Sequence, residues 1–118
     1  GSTFGGGPFV SSIALKVIDI LEKHKMDEYA AKLGSYLIDK FKKSLEGTQG
    51  IVDIRGKGLM IGIELEKDCP NLVEKALENK LLINVTSGKV IRLLPPLIMN
   101  EKEADQVVSI LTSILKKY

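Results

Sequence analysis

An α+β fold, with helices packed on a small and mainly antiparallel sheet, is predicted by three features of the sequence. Apolar residues recur at helical spacing near both ends of the chain. Between them lie short β-rich runs joined by glycine-containing turns, too tight for the crossovers that parallel strands need. The adjacent Pro95 and Pro96 end the last of these runs, because neither can donate to a ladder.

Each element follows from local pattern. From Pro8 to Lys25, the residues Val10, Ile13, Ala14, Val17, Ile18 and Leu21 share one helix face, and Pro8 suits the first turn. A second helix is predicted from Asp27, read as its N-cap, to about Glu46. Its apolar face is Ala30, Leu33, Leu37, Phe41 and Leu45, and Gly47 stops it. Ile51–Ile54 and Leu59–Leu65 are predicted strands, with Arg55-Gly56-Lys57-Gly58 as the turn or bulge between them. Pro70 opens a short helix over Asn71–Asn79, with Leu72, Val73, Ala76 and Leu77 inward. Leu81–Val85 and Lys89–Leu94 form a second strand pair across Thr86-Ser87-Gly88. Asn100 and Glu103 have the spacing of a capping box for a last helix, whose face is Ala104, Val107, Val108, Leu111, Ile114 and Leu115.

Composition narrows the function. The 118 residues fit one domain, and a net charge of +2 is too weak to imply nucleic acid or an acidic membrane surface. The lysines alternate with Asp and Glu, as on solvated helix faces. Cys69 stands alone, so no internal disulfide forms, and no apolar stretch approaches membrane-spanning or secretory-signal length. Together these point to a reducing, cytoplasmic setting. His24 sits in the charged run Glu22–Lys25 and reads as a solvated helix-end residue, with no partners for a metal. No Ser-His-Asp set, metal cluster or isolated carboxylate pair is present, so no catalytic residue is assigned.

Two segments invite a binding role. Arg92 lies inside the apolar run Val90–Leu97, and the chain has only one other arginine against fifteen lysines. A guanidinium keeps its charge and offers a planar fork, so a greasy wall around it suggests a buried seat for a small carboxylate. The alternative is a structural Asp or Glu partner. The segment GSTFGGGP at 1–8 offers the Ser2 and Thr3 hydroxyls and a pliable backbone ahead of a helix, which suits a phosphate. It lacks the P-loop lysine, and a glycine-rich linker is the other reading. The chain divides accordingly into a glycine-rich segment, 1–7, and a domain, 8–118.

Three motifs, in order, resemble the C-terminal part of the class III aminotransferases, which use pyridoxal phosphate. GSTFGGGP resembles the glycine motif before their inter-domain helix. DIRGKGLMIGIEL resembles their small-domain hairpin, and LLINVTSGKVIRLLPPLIM resembles their substrate-arginine strand pair. Many members carry Asn where Gly7 stands.

The resemblance implies a fold type I small domain that closes over substrate, in a homodimer, against a large domain that holds the cofactor on a Schiff-base lysine. It implies that Thr3, with Ser2 beside it, meets the cofactor phosphate of the neighbouring subunit. Arg92 would grip the α-carboxylate of small amino-acid and 2-oxo-acid substrates. The cofactor lysine would lie upstream of GSTFGG, so these 118 residues alone are expected to bind no cofactor and to be inactive. Subfamilies acting on ornithine and on 4-aminobutyrate share the scaffold, and a freestanding module binding carboxylates or acidic peptides is the reading from a different class. Separated from a large domain, the domain is expected to expose an apolar patch along the first helix, with Phe9, Val10 and Met60 in that surface. Weak self-association, or fraying through about Phe9, would follow.

Overall fold

The computed structural model describes residues 1–118. It contains α1 (Pro8–Lys23), α2 (Met26–Ser44), β1 (Ile51–Lys57), β2 (Met60–Leu65), α3 (Leu72–Glu78), β3 (Asn84–Thr86), β4 (Val90–Leu93) and α4 (Glu101–Leu115). The strands form one antiparallel sheet in the order β1-β2-β4-β3. The domain is therefore α+β, as its sequence predicts.

Strand alternation divides the sheet into two unlike faces. Ile54, Ile61, Ile63, Ile91 and Leu93 point inward and join the core with Leu33, Leu37 and Phe41 of α2 and Ala104, Val108, Leu111 and Leu115 of α4. Phe41 and Leu37 are wholly buried, and burying such a side chain contributes about 1.5–3 kcal/mol. Cys69, Leu72 and Ala76 close one end. The Cys69 thiol donates to the Gly88 carbonyl, and burial pushes its pKa up. The opposite face of the sheet carries polar residues.

The helix ends correct several expectations. α1 stops at Lys23, and His24 caps it, exposed as expected. Asp27 is not the N-cap of α2. The link between the helices is so short that Lys25 takes the cap position in the left-handed conformation, φ 49°. Asp27 falls in the first turn, where its charge still suits the helix dipole. In α3 only Leu72 and Ala76 are buried, because seven residues present one narrow stripe; Val73 and Leu77 face outward. The capping box of α4 is complete. Asn100 Oδ1 accepts from the Glu103 N–H at 3.0 Å, and the Asn100 N–H donates to Glu103 Oε2 at 2.8 Å.

The β1–β2 turn is shorter than its glycines suggest. Arg55-Gly56-Lys57 is strand, and the turn is Gly58-Leu59, with Gly58 at φ +54°. Gly56 lacks a side chain for a different reason: a Cβ there would stand 2.6 Å from the Met60 carbonyl oxygen. In the second hairpin, pairing starts only at Asn84, because the Leu81 N–H turns back to the Ala76 carbonyl behind α3.

α1 behaves unlike the rest. Among the helices and strands it contacts only α2, and it buries none of its residues, although one side of it is apolar from Phe9 to Leu21. Phe9 is 77% exposed and Met60 59%, and Val10 is exposed too, in agreement with the predicted apolar patch. The radius of gyration is 17.0 Å, against about 13.5 Å for a compact domain of this length. No helix is long and apolar enough to cross a membrane.

Candidate functional site

The candidate site is the outer face of the sheet. Register sets its rows. One row runs Arg55–Gly62–Arg92–Asn84 across β1, β2, β4 and β3, and the next runs Asp53–Glu64–Val90–Thr86. Both arginines of the chain thus share a row, with a glycine between them. Beside this row lies a shallow concavity of about 420 Å³, lined by Arg55, Gly56, Lys57, Met60, Ile61, Gly62, Thr86, Val90 and Arg92.

The two arginines differ in their partners. Arg55 Nη1 donates to Asp53 Oδ2 at 2.9 Å and to Glu64 Oε2 at 2.8 Å. Lys89 Nζ meets the other oxygen of Glu64 at 3.0 Å. Lys89, and after it Arg55, hold the Glu64 carboxyl below the usual carboxylate range. Asp53, and after it Glu64, raise the Arg55 guanidinium above its usual value. These four charges cancel. Arg92 makes no ion pair and no hydrogen bond within the chain. With Lys57 it leaves the concavity net positive, so the arrangement can receive a small anion.

Arg92 is not buried, and this corrects the expectation of a seat inside an apolar wall. The apolar run is a strand whose odd positions, Ile91 and Leu93, enter the core; Arg92 alternates outward and is exposed. A structural Asp or Glu partner, the other sequence reading, is absent as well. Ser2 and Thr3 are exposed ahead of α1, Thr3 in a turn. The N–H of Gly5 donates to Ser2 O, and that of Gly7 to Phe4 O. The N–H groups of Ser2, Thr3, Phe4 and Gly6, and both hydroxyls, have no partner. No residue of 1–7 lines the Arg92 concavity, so the two predicted binding elements do not meet within one chain. The Asp53–Arg55–Glu64–Lys89 network was not anticipated. Its signal was the period-2 spacing of Asp53, Arg55 and Lys57, hidden by reading Arg55–Gly58 as a turn.

An antiparallel domain with a cationic saddle and a glycine-rich leader into a helix narrows the class, and comparison with known proteins defines it. Residues 1–115 match the aminotransferase class III family, and the chain belongs to it. Over its whole length it is 46% identical to acetylornithine aminotransferase 1 of Bordetella bronchiseptica, covering 30% of that protein. It is 44% identical to the acetylornithine aminotransferase of Methanothermobacter thermautotrophicus over 98% of this chain, again 30% of the relative. The fold matches the crystal structure of acetylornithine aminotransferase from Elizabethkingia anophelis with a TM-score of 0.90 and 34% identity, over 100% of this chain and 32% of that one. An ornithine aminotransferase from Plasmodium yoelii gives 0.91 and 32% identity, over 99% of this chain and 32% of that one. The chain thus spans about 30% of the length of the curated relatives it matches.

Proposed function

We propose that this chain is the substrate-gripping small domain of an acetylornithine aminotransferase. The carrying observation is Arg92, the chain's one arginine without an internal partner, set at a net-positive concavity. Its fork suits a carboxylate. The enzyme it would serve moves the amino group of N-acetylornithine to 2-oxoglutarate, giving N-acetylglutamate semialdehyde and glutamate, a step of arginine biosynthesis in the cytoplasm. Arg92 would orient the α-carboxylate of each substrate in turn. The relatives' names support this amino donor. The ornithine aminotransferase likeness supports ornithine as the second reading.

Pyridoxal phosphate would supply the electron sink for this chemistry. The donor set of 2–7 fits its phosphate: two free hydroxyls and four unpaired N–H groups ahead of a helix of 16 residues. Thr3, with Ser2, would hold that phosphate. Their separation from the Arg92 concavity agrees with service to a second subunit of a homodimer. The exposed apolar face of α1 would be covered by the large domain and that partner.

In an enzyme carrying this domain, Arg92→Ala is expected to raise KM for both substrates, through a loss of about 2–5 kcal/mol of binding. Arg92→Lys should rescue little, since an ammonium has no fork. Unchanged KM for both substrates would overturn the reading.

A further inference from the structure

The geometry points to Gly62 as a specificity-determining residue: the bare backbone between Arg55 and Arg92 is the floor on which the aliphatic chain of the gripped carboxylate lies. This rests on the proposed use of Arg92.

Gly62 is not required by the fold. Its φ is not positive, unlike that of Gly58 or Gly88. A Cβ built on it would meet only Val90 Cγ1 at 3.6 Å and the Arg55 Cγ and carbonyl oxygen at 4.0 Å, which is ordinary van der Waals contact. At Gly34 and Gly56, by contrast, a Cβ would strike backbone at 1.9 and 2.6 Å. Glycine inside a strand weakens it, and where the strand does not need one, it commonly marks the close approach of something from outside. The approach here is open on one side only. The inner-face neighbours Ile61 and Ile63 are wholly buried, so the missing side chain is missing from the outer face.

The surroundings state what would approach. Arg55 is drawn toward the neighbouring row, where its Nη1 meets Asp53 and Glu64 at 2.9 and 2.8 Å. Arg92 is free to receive an anion, and Met60 offers apolar surface alongside. A linear carboxylate with unbranched carbons next to its head fits this floor. A side chain at position 62 would lift it away from the Arg92 fork.

The test uses the full-length enzyme with Gly62→Ala, Gly62→Val and, in parallel, Arg92→Ala. Steady-state kinetics with 2-oxoglutarate, inhibition by glutarate, and thermal melting are measured for each. The expected result is a graded rise in KM and in the glutarate inhibition constant, about tenfold for Val and less for Ala, with kcat and melting little changed. Unchanged KM in both Gly62 variants, with KM raised in Arg92→Ala, would overturn this inference and leave the carboxylate grip standing. Lowered melting with unchanged KM would also overturn it, by showing that the glycine accommodates a packed neighbour. A raised KM in Gly62→Val with none in Arg92→Ala would overturn both, because the floor is defined by a chain anchored at Arg92. If Gly62→Val does not fold, the Ala variant decides.

Discussion

α1 and α2 are adjacent helices of similar length, joined by two residues, yet only one of them belongs to the core. α2 buries Leu33, Gly34, Leu37 and Phe41 along one stripe and faces solvent elsewhere. α1 buries nothing, although Phe9, Val10, Ile13, Val17, Ile18, Ile20 and Leu21 give it an apolar face of its own. The stripe of α2 is satisfied within the domain, whereas the apolar face of α1 is left without a covering layer. The difference teaches which part of the chain carries its own stability and which part depends on what it is joined to.

The sharpest way to break this contrast is to truncate one large side chain in each helix of the 118-residue chain. Phe41→Ala should cost about 3–5 kcal/mol by chemical denaturation. Phe9→Ala should stay within about 0.5 kcal/mol. Comparable losses would mean that α1 does pack. Amide exchange gives the same contrast without substitution, with fast exchange expected over residues 2–9 and slow exchange over the middle of α2. Next in size is Gly34→Ala, since a Cβ there would stand 1.9 Å from the Gly58 carbonyl oxygen. A loss of about 1–3 kcal/mol is expected in the melting of the chain. A smaller effect is expected at α4, where Asn100→Ala removes one half of the capping box and should cost about 1 kcal/mol.

The smallest effect belongs to the outer face. The Glu64 carboxyl is held below its usual range, chiefly by Lys89 and then by Arg55. Its contribution is therefore complete above the ordinary Glu value of about 4.3 and is lost as pH falls below it toward the folded value. Wild type should melt slightly above Glu64→Gln at neutral pH, and the gap should close in acid. A gap that widened in acid would contradict the network. Exposed pairs of this kind contribute little, so the core and not the charged face should dominate every melting curve.

Most of the fold was legible because two periodicities carry it. The helical stripe of Leu33, Leu37 and Phe41, the box at Asn100 and Glu103, and the double proline each act over a few residues. What failed was set by pairing at longer range. Asp27 looked like a cap, but the short link put Lys25 there instead. Arg55 looked like turn, but a two-residue loop at Gly58-Leu59 drew it into the strand. Arg92 stood out correctly as the unusual cation. Its depth was misjudged, because a run of apolar letters conceals that alternate residues leave the core. The saddle formed with Arg55 and Gly62 depends on the register of three strands, which no local pattern encodes.

The contact between Gly34 and Gly58 has a consequence for how the hairpin can move. The two main chains approach more closely than any side chain would allow. The tip that presents Met60 is thus wedged on the midpoint of α2 rather than hanging free. A tilt of that helix would carry the arginine row with it as one stiff body, so the shape of the cationic surface would survive a swing that changes where it points.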